Sequence, residues 1–111
     1  MRALFLTAVA VLLSLTVAKA APADEFHQSR AQVVLTNAID TGSPLYNNGE
    51  YENCYLFYRG ALRSTLPLLR DRPDLRDQIE AALWRAERTA SRGHRAWILR
   101  HAIDRTLAGL N

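Results

Sequence analysis

The chain has 111 residues, a formal net charge of +3 and a single cysteine, Cys54. One cysteine excludes an internal disulfide and a CxxCH haem attachment site. Because the only methionine is Met1, a Met/His haem site within the domain is excluded too, and we expect no cofactor.

Residues 1–20 have the features of a secretory signal peptide. Arg2 gives a positive start, residues 3–17 form an apolar run, and Ala18-Lys19-Ala20 matches a cleavage site. A second match places the cut after Ala23. A retained membrane anchor is the alternative, but the run is shorter than the ~20 residues that span a bilayer. We therefore expect a periplasmic or secreted protein with no stable membrane span after cleavage.

Removal of the signal changes the charge of the domain over residues 21–111. Arg2 and Lys19 are removed with it, so twelve basic and eleven acidic residues remain and the net charge falls to +1. A nucleic-acid-binding domain needs an excess or a cluster of positive charge. We therefore predict no nucleic-acid partner for this single domain, which has enough chain for one hydrophobic core.

The first predicted helix of the domain runs from about residue 25 to residue 40. We expect it to end at Thr41-Gly42-Ser43-Pro44, because glycine and proline commonly mark helix ends and turns. A loop over residues 42–49 is predicted to follow, with Leu45 and Tyr46 packing back and Asn48-Gly49 favouring positive φ. The apolar stripe of this helix comprises Ala31, Val34, Leu35 and Ala38.

The second predicted helix begins near Glu50, where a side-chain oxygen of Asn47 or Asn48 can cap it. It should kink or end near Leu66, because Pro67 lacks a backbone donor and clashes with the preceding turn. Its amphipathic stripe comprises Tyr51, Cys54, Tyr55, Tyr58, Ala61, Leu62, Thr65, Leu66 and Leu69.

Two further helices complete the predicted domain. The third starts at Pro73, a residue suited to the first helical position, and ends at Ser91-Arg92-Gly93. Its stripe comprises Leu75, Ile79, Ala82, Leu83, Ala86 and Ala90. The fourth runs from about residue 94 to residue 110, with the stripe Ala96, Leu99, Ala102, Ile103, Thr106, Leu107 and Leu110. Short connections favour antiparallel neighbours, so we predict an all-α fold, a small four-helix bundle or a pair of helical hairpins.

Both tryptophans lie off these stripes at ~100° per residue. Trp84 lies nearly opposite the apolar face of the third helix, and Trp97 shares the outer face of the fourth with Arg100, His101 and Asp104. One interpretation is a joint exposed aromatic patch. The favoured alternative is that the first helix, the 42–49 loop or the N-terminal segment covers them, because large exposed apolar patches are rare in monomers.

Cys54 has no adjacent base that would indicate catalytic use. Export places this thiol in an oxidising compartment, so we expect it to be buried or paired. Burial as a small hydrophobe is favoured, and an intermolecular disulfide in a homodimer is the alternative.

The histidines and a group of arginines are the remaining candidates for chemistry. His94 and His101 lie about 10 Å apart along a helix and His27 is remote in sequence, so no metal site is predicted. Arginines surround the turn after the third helix, with acidic residues between them: Arg85, Arg88, Arg92 and Arg95 with Asp77, Glu80 and Glu87. A solvated face with local ion pairs is favoured over a site for an acidic partner or anionic lipid. Arg100 and Asp104 have the spacing of a helical ion pair.

A partial resemblance concerns the second helix. Gly49-x-Tyr51-x-x-Cys54-x-x-x-Tyr58-x-x-Ala61-Leu62 resembles the second helix of a tetratricopeptide repeat, and Gly42 matches the glycine of its first helix. Pro44 interrupts that first helix, Pro67 falls one residue late, and no second copy follows. Since a repeat array needs about three units, the resemblance implies one degenerate hairpin at most.

A second resemblance covers most of residues 35–104. Gly42-x-Pro44-Leu45-Tyr46-Asn47-x-Gly49, then Cys54 and Tyr58, then Ala96-Trp97-x-Leu99-Arg100-x-Ala102-x-Asp104 resemble a class of uncharacterised bacterial exported helical domains. The class implies a helical fold but no reaction. It also implies that six residues meet in one region: Tyr46, Asn47, Cys54, Trp97, Arg100 and Asp104.

We interpret the chain as an exported, non-enzymatic binding module whose partner is another protein of the cell envelope. The candidate binding residues are Tyr46, Asn47, Trp84, Trp97, Arg100 and Asp104. The alternative is a small-ligand-binding or enzymatic domain whose cleft lies between the 42–49 loop and the last helix. That cleft is predicted to be lined by Tyr46, Cys54, Arg100 and Asp104.

Overall fold

The structure is a computed structural model that describes residues 22–111. The predicted signal peptide therefore lies outside the described residues. The helices are α1 (Pro22–Asn47), α2 (Tyr51–Thr65), α3 (Pro73–Glu87) and α4 (Arg92–Leu110), with a 3-10 turn at Leu66–Leu69. No strand occurs between residues 22 and 111, and the predicted all-α class is confirmed.

Helix α1 is longer than the sequence predicted. It continues through Gly42 and Pro44 to Asn47, so the predicted stop at residue 41 and the loop over 42–47 are wrong. Proline inside a helix costs about 3 kcal/mol, because its ring displaces a hydrogen bond. The packing of Leu45 and Tyr46 against the core offsets that cost and keeps the extra turn helical.

A compact glycine turn joins α1 to α2. The amide of Glu50 donates to the carbonyl of Leu45 at 2.9 Å, and that of Gly49 donates to Tyr46 at 3.0 Å. With Gly49 at φ +79°, these two bonds form a Schellman motif. The predicted asparagine cap is wrong, because Asn47 is still helical and Glu50 occupies the N-cap of α2 without a side-chain bond.

The remaining helix boundaries follow proline and serine chemistry. Pro67 lies in the 3-10 turn that ends α2, and Pro73 occupies the start of α3, as predicted. Helix α3 ends at Glu87, earlier than predicted, and Ala90 is exposed. Ser91 starts α4 by accepting a hydrogen bond from the amide of His94.

The four helices form two antiparallel hairpins, α1–α2 and α3–α4, that pack together mainly through α2 and α4. Arg72 and Gln28 tie the far end of the bundle: Arg72 donates to the carbonyl of Gly109, and Gln28 donates to Asp71. The core combines the predicted stripes and consists of Ala31, Leu35, Ala38, Cys54, Tyr55, Tyr58, Leu62, Leu69, Leu75, Ile79, Ala82, Ala86, Ala96, Leu99, Ala102 and Ile103. Among residues 22–111, no helix is both long and apolar enough to cross a membrane.

Candidate functional site

A cleft opens where the end of α1 meets α2 and the outer face of α4. Its volume is about 170 Å³, and it is lined by Ser43, Tyr46, Asn47, Tyr58, Ala96, Trp97 and Arg100. We call it the aromatic cleft. The extra turn of α1 creates it, because that turn carries three of these residues over α4.

Aromatic rings form one wall of the aromatic cleft. The ring of Trp97 lies edge-on to Tyr46 with centroids 5.7 Å apart, and Tyr46 contacts Tyr51 at 4.7 Å. Trp97 nevertheless remains 45% exposed. The turn of α1 thus supports one side of the indole without covering it, which leaves an apolar ring available to a ligand.

Glycine permits the close packing beneath this wall. A Cβ at Gly42 would collide with the Tyr58 ring, meeting its Cζ at 2.7 Å. Only a glycine lets α1 and α2 approach so closely, and this contact fixes Tyr58 at the base of the aromatic cleft. The requirement is steric, since Gly42 has no positive φ.

A polar network runs across the floor of the aromatic cleft. The Nη1 of Arg100 donates to Ser43 Oγ at 3.0 Å, and Ser43 Oγ lies 3.4 Å from the Tyr58 hydroxyl. The Nε of Arg100 donates to Asp104 at 3.2 Å, which confirms the predicted ion pair. A guanidinium carries five N–H groups, so Arg100 retains donors for a ligand.

Burial governs the electrostatics of this network. Burial raises the pKa of Tyr58, while the hydrogen bond between Tyr58 and Ser43 acts in the opposite direction. Burial also acts to lower the pKa of Arg100, but hydrogen bonds to Asp104 and Tyr58 outweigh it and raise that pKa. Arg100 is therefore a fixed positive charge in the floor, and it cannot serve as a general base.

Cys54 lies in the core beneath the aromatic cleft. It has no exposed surface, and burial raises the pKa of its thiol despite opposing effects of Tyr58 and Arg100. A protonated, inaccessible thiol is a poor nucleophile. Pairing with a second chain would require the surrounding helices to open first.

The structure brings together four of the six candidate binding residues. Tyr46, Asn47, Trp97 and Arg100 line the aromatic cleft. Asp104 does not line it, but it accepts a hydrogen bond from Arg100. Trp84 lies elsewhere: it is 57% exposed on α3 with the Arg88 guanidinium 3.8 Å above its ring. No ring pair joins Trp84 to Trp97 within the described part of the chain, and a wider joint patch stays a prediction. No described helix or loop covers Trp84, so the favoured expectation that the first helix or the 42–49 loop covers both tryptophans is wrong for this residue.

Two of the charged residues around the α3–α4 turn pair across helices. Glu87 accepts from Arg63 of α2 at 3.3 Å, and Arg95 lies 3.8 Å from Glu52 of α2. The sequence favoured local ion pairs within this group: Glu80 does pair locally with Arg76 one turn away, whereas Glu87 and Arg95 pair with α2. Across residues 22–111, no three His, Cys, Asp or Glu side chains are grouped as a metal site.

A second groove lies on the other side of α4, against α3. It is lined by Arg85, His94, Ile98, His101 and Arg105, and we call it the basic groove. The two histidines lie on this one face of α4. The ring of His101 contacts Trp97 at a centroid distance of 5.5 Å, so this pair separates the groove from the aromatic cleft.

Sequence reasoning missed Ser43, Tyr58 and Ala96 as lining residues of the aromatic cleft. Ser43 was assigned to a loop, and Tyr58 to the core stripe alone. It also missed Arg105, although residues 94, 98, 101 and 105 have the spacing of one helix face. That spacing was the available signal for the basic groove.

Comparison with known proteins identifies no relative of this chain. No family model matches it, and neither a curated protein nor a solved structure is significantly similar to it. The two resemblances noted in the sequence stay predictions, and the fold is established by the structure alone.

Proposed function

We propose that the protein is an exported, non-enzymatic binding module that contacts another protein of the cell envelope through the aromatic cleft. The observation that carries this proposal is a half-exposed tryptophan, Trp97, beside a cleft of about 170 Å³. Pockets for drug-sized ligands span about 300–1,000 Å³. The aromatic cleft is therefore of a size for one anchoring side chain of a partner.

The composition of the cleft also fits a protein contact. Tryptophan, tyrosine and arginine are the residues that most often dominate binding energy at protein interfaces, and Trp97, Tyr46 and Arg100 supply all three here. The spare donors of Arg100 suit a backbone carbonyl or a carboxylate next to the anchor. An apolar side chain of the partner, inserted between Trp97 and Tyr46, would supply the apolar surface that is buried on binding.

The arrangement of hydroxyl groups supports binding over catalysis. Ser43 hydrogen-bonds to Tyr58 and to Arg100, and neither hydroxyl is bonded to a histidine or carboxylate that would activate it as a nucleophile. Cys54 is buried away from the cleft. The lining residues therefore hold and orient a ligand group.

Site-specific photo-cross-linking in cells tests the proposal. A photoreactive residue at Asn47, exposed at the rim, should yield a discrete cross-linked partner, and one at exposed Thr36 of α1 should not. Trp97→Ala should abolish the Asn47 product in a folded protein. The same product from both positions, or its persistence in Trp97→Ala, would contradict the proposal. Trp84→Ala also removes an exposed tryptophan, but one that lies outside the aromatic cleft. Its effect on the Asn47 product tests the separate prediction that Trp84 takes part in binding: an unchanged product would remove Trp84 from the contact.

A small-acid ligand is the second candidate, favoured by the unused N–H groups of Arg100 in the floor. The chain has two tryptophans, so Trp84→Phe leaves Trp97 as its only tryptophan. Titration of that variant with phenylacetate should then give a saturable change in Trp97 emission, which Arg100→Gln removes. A flat titration together with a cross-linked partner would leave the protein contact as the function.

A further inference from the structure

We propose that the basic groove between α3 and α4 binds a phosphate group. The groove lies on the opposite side of the Trp97–His101 pair from the aromatic cleft, so this site is additional to the proposed protein contact. Helix α4 contributes one face at spacings of four, three and four, and α3 contributes Arg85 across from it. The lining is Arg85, His94, Ile98, His101 and Arg105 around a volume of about 330 Å³.

The charge of the groove is not compensated by the protein. None of its lining residues is acidic. Five ion pairs occur among residues 22–111, and neither Arg85 nor Arg105 belongs to any of them. The nearby carboxylates of Glu87 and Asp104 are bonded to Arg63 and Arg100. Two guanidinium groups therefore face solvent in one groove with their donors unused.

The number and type of donors favour phosphate over a lone carboxylate. A phosphomonoester carries a charge of about −1.5 to −2 and three strong acceptor oxygens, whereas one arginine fork satisfies a carboxylate. Arg85 and Arg105 provide two such forks. His101, one turn before Arg105 on the same helix face, adds a ring N–H, whereas His94 lies about 10 Å further along the helix and is not counted among the donors to the same phosphate. None of these side chains has a competing carboxylate acceptor in the groove.

The open form of the groove admits a phosphate on either of two carriers. A soluble phosphomonoester and the phosphate of an anionic lipid headgroup present the same chemistry to Arg85 and Arg105. The experiment therefore has one arm for each source, and both arms report on the same residues.

The soluble arm is a titration of the ¹⁵N-labelled protein with inorganic phosphate, followed by NMR. We expect saturable shifts at Arg85 and along the α4 face from His94 to Arg105. The Arg85→Gln/Arg105→Gln variant should weaken binding by about tenfold or more, equivalent to about 1.4 kcal/mol per factor of ten. The control Arg30→Gln/Arg70→Gln removes the same net charge from exposed sites elsewhere and should bind as the unmodified protein does.

The lipid arm is co-sedimentation with vesicles of phosphatidylcholine containing about one quarter phosphatidylglycerol, an anionic surface that attracts basic residues. Loss of vesicle binding in Arg85→Gln/Arg105→Gln but not in the control identifies the headgroup as the source. Phosphate shifts without vesicle binding identify a soluble ligand, which equally supports the site. Equal losses in both double variants, or no saturable response in either arm, would overturn the proposal.

Discussion

The two sides of α4 handle positive charge in opposite ways. On the side that faces α1 and α2, Arg100 is matched by Asp104 and by the hydroxyl of Ser43. On the side that faces α3, Arg85 and Arg105 have no carboxylate partner among the described residues. A compensated charge beside aromatic rings favours recognition by shape and apolar contact. An uncompensated groove favours recognition by charge, and its binding should weaken with salt.

The largest expected effect is steric and confined to the cleft side. Gly42→Ala places a methyl group against the Tyr58 ring, and overpacking of this kind costs about 1–3 kcal/mol. Urea unfolding should show this loss. Gly60→Ala is the matched control, because nothing lies within 4 Å of the added Cβ, and alanine should stabilise that helix by up to about 1 kcal/mol. Equal stability of the two variants would show that Tyr58 moves aside at no cost. Phosphate binding in the basic groove should survive in both variants, because neither substitution touches that groove.

Alkaline pH should also weaken the cleft side. Burial raises the pKa values of Cys54 and Tyr58, so the unfolded chain loses these protons at lower pH than the folded chain does. Stability from these groups is fully present below about pH 8.5, the ordinary thiol pKa, and falls as pH rises past it and past about 10.

Unfolding free energies across that pH range provide the measurement. Tyr58→Phe keeps the ring against Gly42 and removes one titrating group, and Cys54→Ala removes the other. Each variant should show a smaller loss of stability with rising pH than the unmodified protein. An unchanged slope in both variants would mean that neither group controls the alkaline transition.

A smaller effect is expected at the start of α4, near the basic groove. Ser91 accepts a hydrogen bond from the amide of His94 at 3.3 Å, and loss of such a cap typically costs about 1 kcal/mol. Ser91→Ala should therefore lower thermal and urea stability modestly. Ser64→Ala is the control, because Ser64 is exposed near the end of α2 and caps no helix start. A greater loss at Ser64 would contradict the capping role.

The smallest effect is expected where exposed charges pair across the hairpins. Arg63 and Glu87 lie 3.3 Å apart with about half of each side chain exposed. An exposed ion pair contributes about 0–1 kcal/mol, so Glu87→Gln should change stability little. A double-mutant cycle with Arg63→Gln measures the coupling directly. A coupling well above 1 kcal/mol would contradict this ranking and show that the pair contributes substantially to holding the two hairpins together.

Local signals in the sequence explain why the core residues were predicted well. Periodicity identified buried positions such as Leu35, Tyr55, Ile79 and Leu99, because one face of each helix must be apolar to pack. Pro73 and Gly49 were also interpreted correctly, since their backbone requirements are local. Val34 and Ala90, in contrast, are less buried than their stripes predicted, and Ala90 lies beyond the end of α3 at Glu87.

The candidate site depended on contacts between residues far apart in the chain. Pro44 indicated a helix stop, but packing of Leu45 and Tyr46 outweighed its local cost and extended α1 over α4. The sequence correctly singled out Tyr46, Asn47, Trp97 and Arg100 as neighbours. It also favoured burial of Cys54, which is fully buried, but it had no means of showing that the thiol lies beneath the cleft instead of lining it.

The sequence by itself determined an all-helical chain with defined apolar faces, because those properties follow from spacing and backbone chemistry within each segment. Only the tertiary structure decided which charges were compensated and which stayed free. Arg100 meets Ser43 and Tyr58 from two other helices, while Arg85 and Arg105 line one groove between α3 and α4 that has no acidic lining residue. Such pairings depend on helix packing angles and register, which no single helix encodes.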